Sequence, residues 1–127
     1  MTRLFLDSTV IISAITARDS DSVLIFVEGR YSLFTNEYVI KETRRILDSE
    51  FGFTQDEINR SIDFVRNSCV VLKMPHKRDL KRIKIEDKSD RPIVYSAMKN
   101  KCILVTHDRL LIKSAEKYVK TLIPNEL

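Results

Sequence analysis

The amino-acid sequence predicts an α/β fold in which helices cover both faces of a mostly parallel sheet of four to five strands. Short apolar segments alternate along the chain with longer segments whose apolar residues recur every three to four positions. This alternation favours parallel strand pairing through helical crossover connections. The chain has 127 residues and contains no internal repeat or linker, so we expect one domain over residues 1–127.

The elements follow one another without long gaps. In chain order the sequence predicts a strand at 3–7, helices at 10–17 and 22–29, a strand at 31–35, a helix from 36 to 49, a helix from 54 onward, a strand at 69–72, a helix after 90, a strand at 102–105, a helix at 110–117 and an edge strand at 119–123. The strand at 102–105 is apolar throughout, as expected of a strand that is buried on both faces.

Several helices have recognisable ends. Ser8 or Thr9 is suited to cap the first helix, because a side-chain hydroxyl can accept a hydrogen bond from a free backbone N–H. Gly29 is suited to end the second helix. Thr54 and Glu57 have the spacing of a capping box.

Composition narrows the class of protein. Hydrophobic residues make up 43% of the chain and charged residues 31%, which is typical of a soluble globular protein rather than a disordered one. No apolar run approaches the roughly 20 residues needed to span a bilayer, and the N-terminus has no export signal. The chain has only 2 glycines, which excludes glycine-rich phosphate loops. The net charge of +4 permits a polyanionic partner without demanding one.

The two cysteines, Cys69 and Cys102, lie in apolar segments and lack metal-ligand spacing. We therefore expect buried free thiols in a reducing compartment, and we place the protein in the cytoplasm without a membrane partner.

Four acids are candidates for a metal site. Asp7 and Asp108 fall at the carboxyl ends of predicted strands, where the functional sites of parallel sheets lie. Glu42 and Asp90 lie on helices that can reach the same edge. Each acid alone also suits an ordinary role: the three aspartates as N-caps and Glu42 as a surface charge.

Together these acids are poorly explained by stability, because crowded carboxylates repel one another and take up protons. A hard divalent cation such as Mg²⁺ or Mn²⁺ removes that repulsion and prefers oxygen ligands. A metal-bound water is a nucleophile at neutral pH, and a metal also stabilises a leaving oxygen. The sequence therefore predicts metal-dependent hydrolysis of a phosphodiester.

Other polar residues near these acids have open roles. Thr9 and Thr106 are candidates for polar support of the metal site. Asp87 is either a loop charge or an auxiliary acid. We expect His107 to be exposed and not to be a metal ligand.

The segment 73–84 is the most basic of the chain, with six Lys or Arg residues against one acid. It is either a solvated loop or a contact for RNA. The candidate contact residues are Lys77, Arg78, Lys81 and Arg82.

Three blocks of the sequence resemble the PIN domain family, and within it the nuclease toxins of VapC type and their uncharacterised relatives. They are 6–14 (LDSTVIISA), 35–47 (TNEYVIKETRRIL) and 87–111, which contains Thr106-His-Asp108. The third block is the most specific, because Asp90, Ala97, Thr106 and Asp108 have the family's usual spacing. The chain departs from the family in having Asn100-Lys101 for a glycine before the fourth strand, and His107 for a small or basic residue.

The resemblance implies an α/β/α sandwich and a ribonuclease that depends on Mg²⁺ or Mn²⁺. It makes Asp7, Glu42, Asp90 and Asp108 the acidic quartet, with Thr9 near the metal. It also implies a homodimer and, if the protein is a toxin, a cognate antitoxin that inserts into the acidic groove.

The leading hypothesis is therefore a metal-dependent endoribonuclease that acts as the toxin of a toxin–antitoxin pair. The alternative within the same fold is an RNA-processing or an RNA- or protein-binding module that is not a toxin. A phosphate-accepting receiver domain is disfavoured, because the third strand ends in Leu72-Lys73-Met74 without an aspartate.

Overall fold

A computed structural model describes residues 1–127 and confirms the predicted α/β class. Its five strands form one sheet with the order β3-β2-β1-β4-β5, and every neighbouring pair is parallel. The strands are β1 (Arg3–Leu6), β2 (Ser32–Asn36), β3 (Val70–Leu72), β4 (Ile103–Val105) and β5 (Thr121–Leu122). The chain moves outward from β1 to β3 and then returns to β4, so the strand order reverses between β1 and β4.

Seven α-helices connect the strands. They are α1 (Ser8–Ile15), α2 (Ser20–Val27), α3 (Glu37–Ser49), α4 (Gln55–Ser68), α5 (Lys77–Leu80), α6 (Arg91–Lys99) and α7 (Arg109–Ala115). Single 3-10 turns occur at Lys88–Asp90 and Pro124–Glu126. The short helix α5 lies in the basic segment for which the sequence predicts no element. None of the helices has the length and apolar character needed to cross a membrane.

The central strand β1 shows why the fold has three layers. Leu4, Phe5 and Leu6 all have no exposed surface, although successive side chains of a strand point to opposite faces of the sheet. Both faces of β1 are therefore covered. These side chains belong to one core cluster of 26 buried residues. Cys69 and Cys102 belong to the same cluster and are free thiols, as predicted.

The start of α1 differs from the prediction. The helix begins at Ser8, and its N-cap is Asp7 rather than Ser8 or Thr9. The Val10 amide donates to Oδ1 of Asp7 at 3.3 Å. Because the helix starts directly after β1, the acid that ends the strand is also the residue that caps the helix.

Other predicted ends are confirmed. The capping box of Thr54 and Glu57 is present at the start of α4. Gly29, just beyond α2, has a φ of +66°, which glycine adopts without steric cost.

Two side chains at the carboxyl end of β2 hold the neighbouring elements in place. The hydroxyl of Thr35 donates to the Leu6 carbonyl at 2.9 Å, which joins the ends of β1 and β2. The Asn36 amide donates to the Pro92 carbonyl at 3.1 Å and to the Ser96 hydroxyl at 2.8 Å. Its carbonyl oxygen caps α3 by accepting from the Val39 amide. Asn36 thus fixes the starts of α3 and α6 beside the strand ends.

Candidate active site at the carboxyl edge of the sheet

Asp7 lies at the centre of this edge, between the ends of β2 and β4. Its side chain is only 2% exposed. The Thr9 hydroxyl donates to Oδ1 at 2.6 Å, and the Thr106 hydroxyl donates to Oδ2. With the Val10 amide, three donors therefore face one buried carboxylate.

These donors do not offset the burial. The pKa of Asp7 is raised from 3.8 to about 6, chiefly by desolvation, and the charge of Glu42 adds to the rise. The hydrogen bonds from Thr106, Thr9 and Val10 act in the opposite direction. A group with this balance favours its neutral form unless a cation lies nearby.

Glu42 reaches the site from α3, one residue before the fully buried Thr43. Its Oε1 accepts a hydrogen bond from the Ser8 hydroxyl. Ser8 is a site residue that the sequence analysis considered only as a cap. The signal for it is its place between Asp7 and Thr9, because two consecutive hydroxyl residues at the start of α1 point toward two different acids.

Asp90 precedes α6 and occupies its N-cap position, but its side chain makes no capping hydrogen bond. Its pKa is raised to about 6, first by partial burial and then by the charges of four acids. Those acids are Asp87, Asp108, Asp7 and Glu42. Asp90 therefore lies within electrostatic reach of every other member of the quartet, and helix capping does not account for it.

Asp108 does have an ordinary structural role. Its Oδ1 accepts from the Leu110 amide at 3.0 Å and from the Leu111 amide at 3.2 Å, and so caps α7. Both capping bonds go to the same oxygen. The second oxygen, Oδ2, is therefore not required for the cap.

The two threonines join the β4–α7 turn to Asp7. The Thr106 side chain is fully buried, and its hydroxyl oxygen accepts from the Asp108 amide at 3.0 Å while donating to Asp7. The Thr9 hydroxyl oxygen accepts from the His107 amide at 3.0 Å. One hydroxyl thus contacts both the backbone of one acid and the carboxylate of another, which explains the Thr-x-Asp spacing.

Two residues near the quartet make their hydrogen bonds to other groups. Asp87 is exposed and accepts from the amide and hydroxyl of Ser89, which lowers its pKa. This is the contact pattern of a loop charge. The His107 ring is exposed and lies 3.1 Å from the Ser22 hydroxyl and 3.2 Å from the Asp19 carboxylate, so it contacts α2 and its N-cap instead of the acids.

A cleft of about 570 Å³ contains Asp87, Asp90 and Asp108. Three lysines on its wall bring positive charge next to these acids: Lys84, Lys113 and Lys117. Lys113 lies in α7 and Lys117 just after it, four residues apart. This helical spacing is the sequence signal that could have predicted that both side chains lie on the same side. On the other side of Glu42, a cleft of about 380 Å³ is lined by Tyr38, Lys41 and Arg45.

The predicted basic contacts lie elsewhere. Arg78 and Arg82 line a separate cleft with Tyr95, Met98 and Lys99. Those three residues belong to the second half of α6, whereas Asp90 lies at its start. Lys77 and Lys81 lie on or just after α5 and are exposed. Arg78 and Arg82 thus line a different cleft from Asp90 and Asp108, and a contact of any of the four with RNA stays a prediction.

The sequence matches the family described as PIN domain over residues 5–122. This match covers most of the chain, including all four acids. The chain belongs to the PIN domain family. Among curated protein sequences, no relative matches it.

Solved structures similar to this PIN domain share its fold at low sequence identity. VapBC2 from Rickettsia felis, bound to a DNA fragment from its promoter, is 12% identical with a TM-score of 0.73 and covers 96% of this chain and 98% of that one. VapC20 from Mycobacterium tuberculosis, a toxin that cleaves the sarcin–ricin loop, is 12% identical with a TM-score of 0.70, over 92% and 97%. DNA-bound VapBC from Salmonella typhimurium is 13% identical with a TM-score of 0.68, over 98% and 99%.

The donor set of this PIN domain suits a hard divalent cation, because the four side chains offer only carboxylate oxygens. No three Asp, Glu, His or Cys side chains converge closely enough to hold an ion between them. This spacing still fits Mg²⁺, which keeps several waters and needs only one or two carboxylates from the protein. The raised pKa values of Asp7 and Asp90 are a second sign that these carboxylates lack a counter-charge within the chain.

Proposed function

We propose that this PIN domain is an endoribonuclease that depends on Mg²⁺ or Mn²⁺ and hydrolyses phosphodiester bonds of RNA. The observation that carries the proposal is Asp90. It is half-buried, it makes no capping bond, and the charges of Asp7, Glu42 and Asp108 all reach it. A stable fold gains nothing from such an arrangement, whereas a cation at this edge would offset the repulsion among the four carboxylates.

The residues would act as follows. Asp7, Glu42, Asp90 and Asp108 would hold the metal. When bound, it would supply an activated water and charge stabilisation for the leaving oxygen. Thr9 and Thr106 orient Asp7, and Ser8 orients Glu42, through the hydrogen bonds described above. Lys84, Lys113 and Lys117 neutralise the phosphates of an RNA strand that enters the acidic cleft.

The first test is cleavage of a structured RNA in Mg²⁺ or Mn²⁺ by the parent and by single Asn variants. Asp90→Asn and Asp7→Asn should abolish cleavage while the fold remains intact by circular dichroism. Asp63→Asn is the matched control, because it removes an exposed acid on α4 that lines none of the clefts described above. Equal cleavage by the parent and Asp90→Asn would contradict the assignment.

We further propose that the protein is the toxin of a toxin–antitoxin pair, acts in the cytoplasm as a homodimer, and is held inactive by a cognate antitoxin. Support comes from the structural neighbours, several of which are named as VapBC complexes. Induced expression should arrest growth, Asp7→Asn should abolish the arrest, and co-expression of the neighbouring small reading frame should relieve it. Normal growth on expression of an RNase-active parent would contradict the toxin role.

One observation favours a second candidate, a PIN module that binds RNA or a protein without catalysis. It is the absence of three converging ligand side chains. Calorimetric titration with Mn²⁺ separates the two proposals. The nuclease requires binding that Asp90→Asn weakens and Asp63→Asn does not, whereas no binding at millimolar Mn²⁺ would favour the non-catalytic module.

A further inference from the structure

A second cavity lies next to the acids and is not used by the proposed chemistry. Its volume is about 730 Å³, within the range of roughly 300–1,000 Å³ typical of small-molecule sites. Its wall comes from α1, the end of α3 and the β4–α7 turn. The residues that matter here are Ser8, Thr9, Ile12, Arg18, Phe51 and His107.

This cavity borders the candidate active site. Ser8 and Thr9 line it, and the same two hydroxyls donate to Glu42 and Asp7. The wall of the cavity is therefore in direct hydrogen-bond contact with half of the quartet. A group bound here would lie immediately beside a phosphate held over the acids.

The cavity contains a flat aromatic surface. Phe51, just beyond the C-terminus of α3, is half-buried. The guanidinium carbon of Arg18 lies 5.6 Å from the centre of the Phe51 ring. Phe53 meets that ring edge-on, with ring centres 6.4 Å apart and planes at 77°, which supports its orientation. Ile12 and Ile46 supply apolar surface beside it. Aromatic rings and arginine planes are the surfaces on which nucleobases stack.

The charges favour a base over a phosphate. One guanidinium, from Arg18, faces two carboxylates, from Asp19 and Glu50. A phosphate would meet net repulsion, whereas a neutral base offers N–H donors to those carboxylates. The other cleft has three lysines, although five acids share its wall: Glu86, Asp87, Asp90, Asp108 and Glu116.

We infer that this cavity receives the nucleobase adjacent to the scissile phosphate and packs it against the pair formed by Phe51 and the Arg18 guanidinium, which lies over that ring. The inference rests on the proposed nuclease function and adds a determinant of substrate choice to it. Phe51 is then a binding residue for the base, and Ser8 and Thr9 mark the border between the base and the metal-binding acids.

The test measures binding separately from cleavage. The protein is the Asp7→Asn chain without metal, and fluorescence anisotropy gives its Kd for two ligands. The first is a short labelled single-stranded RNA, and the second is the same ribose-phosphate strand without its bases. On the Asp7→Asn chain the RNA should bind about 5- to 150-fold more tightly than the abasic strand, as one stacked base implies. Adding Phe51→Ala should remove most of this difference, and Phe51→Tyr should restore it.

Phe64→Ala is the matched control, because it removes a ring that is 45% exposed on α4 and does not line the cavity. It should leave the ratio of the two Kd values unchanged. The base pocket would be overturned if the Asp7→Asn chain had the same ratio of the two Kd values with and without the added Phe51→Ala substitution, both proteins being folded. It would also be overturned if the Asp7→Asn chain bound the RNA and the abasic strand equally tightly.

Cleavage kinetics separate this inference from the function on which it rests. In the metal-loaded parent background, Phe51→Ala should raise KM with a smaller effect on kcat, and Phe51→Tyr should restore KM. If the parent cleaves RNA and Phe51→Ala has the parent's KM, the pocket fails and the nuclease stands. If the parent cleaves no RNA in Mg²⁺ or Mn²⁺, the nuclease itself fails.

Discussion

Replacing Asp7 with asparagine should stabilise the metal-free protein above neutral pH. The folded chain raises the pKa of this carboxyl from 3.8 to about 6. Each pKa unit corresponds to about 1.4 kcal/mol, so a shift of about 2 units costs the ionised folded state about 3 kcal/mol. The asparagine side chain carries no charge and avoids this cost.

The sign follows from proton linkage. Because the folded state binds the Asp7 proton more tightly than the unfolded state, its contribution to stability is fully present below the unfolded pKa of 3.8 and is lost as the pH rises through about 6. The difference in unfolding free energy between Asp7→Asn and the parent should therefore grow from pH 5 to pH 8.

Asparagine preserves most of the local structure. It is as good an N-cap as aspartate, and its carbonyl oxygen can keep the bonds from Thr9 and Val10. The bond from Thr106 loses its acceptor, at a cost of about 1 kcal/mol. The expected net gain at pH 8 is then about 2 kcal/mol, the difference between the 3 kcal/mol of charge burial and this loss.

The assay is urea unfolding in EDTA at several pH values, with the parent, Asp7→Asn and Asp87→Asn. Asp87 is exposed and its pKa is lowered, so Asp87→Asn should not stabilise the protein at pH 8. A parent that is as stable as Asp7→Asn at pH 8, or a difference that does not change between pH 5 and pH 8, would refute the reasoning.

Three further predictions concern the same edge. Mn²⁺ at 100 times its Kd should stabilise the parent by about 2.7 kcal/mol through mass action and stabilise Asp90→Asn much less, which thermal unfolding with and without the metal would show. Thr106→Val should lower the unfolding free energy by about 1–3 kcal/mol, because it leaves the amide of Asp108 without its hydrogen-bond acceptor. It should also raise the pKa of Asp7, which NMR titration of the Asp7 carboxyl carbon measures. An unchanged unfolding free energy and an unchanged Asp7 pKa would contradict the described contacts. Lys101→Gly should stabilise the fold by about 1 kcal/mol. Lys101 has a φ of +55°, which costs an L-residue about 1–2 kcal/mol, and the greater freedom of glycine in the unfolded chain offsets part of the gain from removing that cost. A lower melting temperature for Lys101→Gly would contradict this prediction.

The sequence was sufficient for the parts of the fold that local chemistry decides. Alternation of apolar strands with periodic helices identified the parallel sheet, and Thr54 with Glu57 identified the start of α4. The sequence left the N-cap of α1 open, because Asp7, Ser8 and Thr9 are all good capping residues and only the end of β1 decides among them. Helix α5 was missed, since a four-residue helix leaves no periodic signal.

The candidate site also has parts that the sequence predicts and parts that it does not. Asp7 and Asp108 could be named from their place at strand ends, and Glu42 and Asp90 from helices that reach the same edge, but the surroundings of these acids could not be named. Whether Arg78 and Arg82 lie near Asp90 depends on how α5 packs along α6. The Ser8–Glu42 bond spans 34 residues of sequence, and the Phe51 cavity joins three separate segments. Such contacts are set by tertiary packing and leave no local pattern.

The two capping aspartates show how one edge of the sheet serves both folding and the proposed chemistry. Folding requires only a side-chain oxygen at positions 7 and 108, since each caps a helix through Oδ1. The proposed metal site requires a negative charge. Asp90 makes no capping hydrogen bond, so its carboxylate has no structural role that would explain the charge. Asparagine keeps the oxygen and removes the charge, so it separates the two requirements at positions 7 and 108. If the charges were there for stability, Asn variants at both positions would weaken the fold, whereas a functional charge predicts folded variants that no longer bind Mn²⁺.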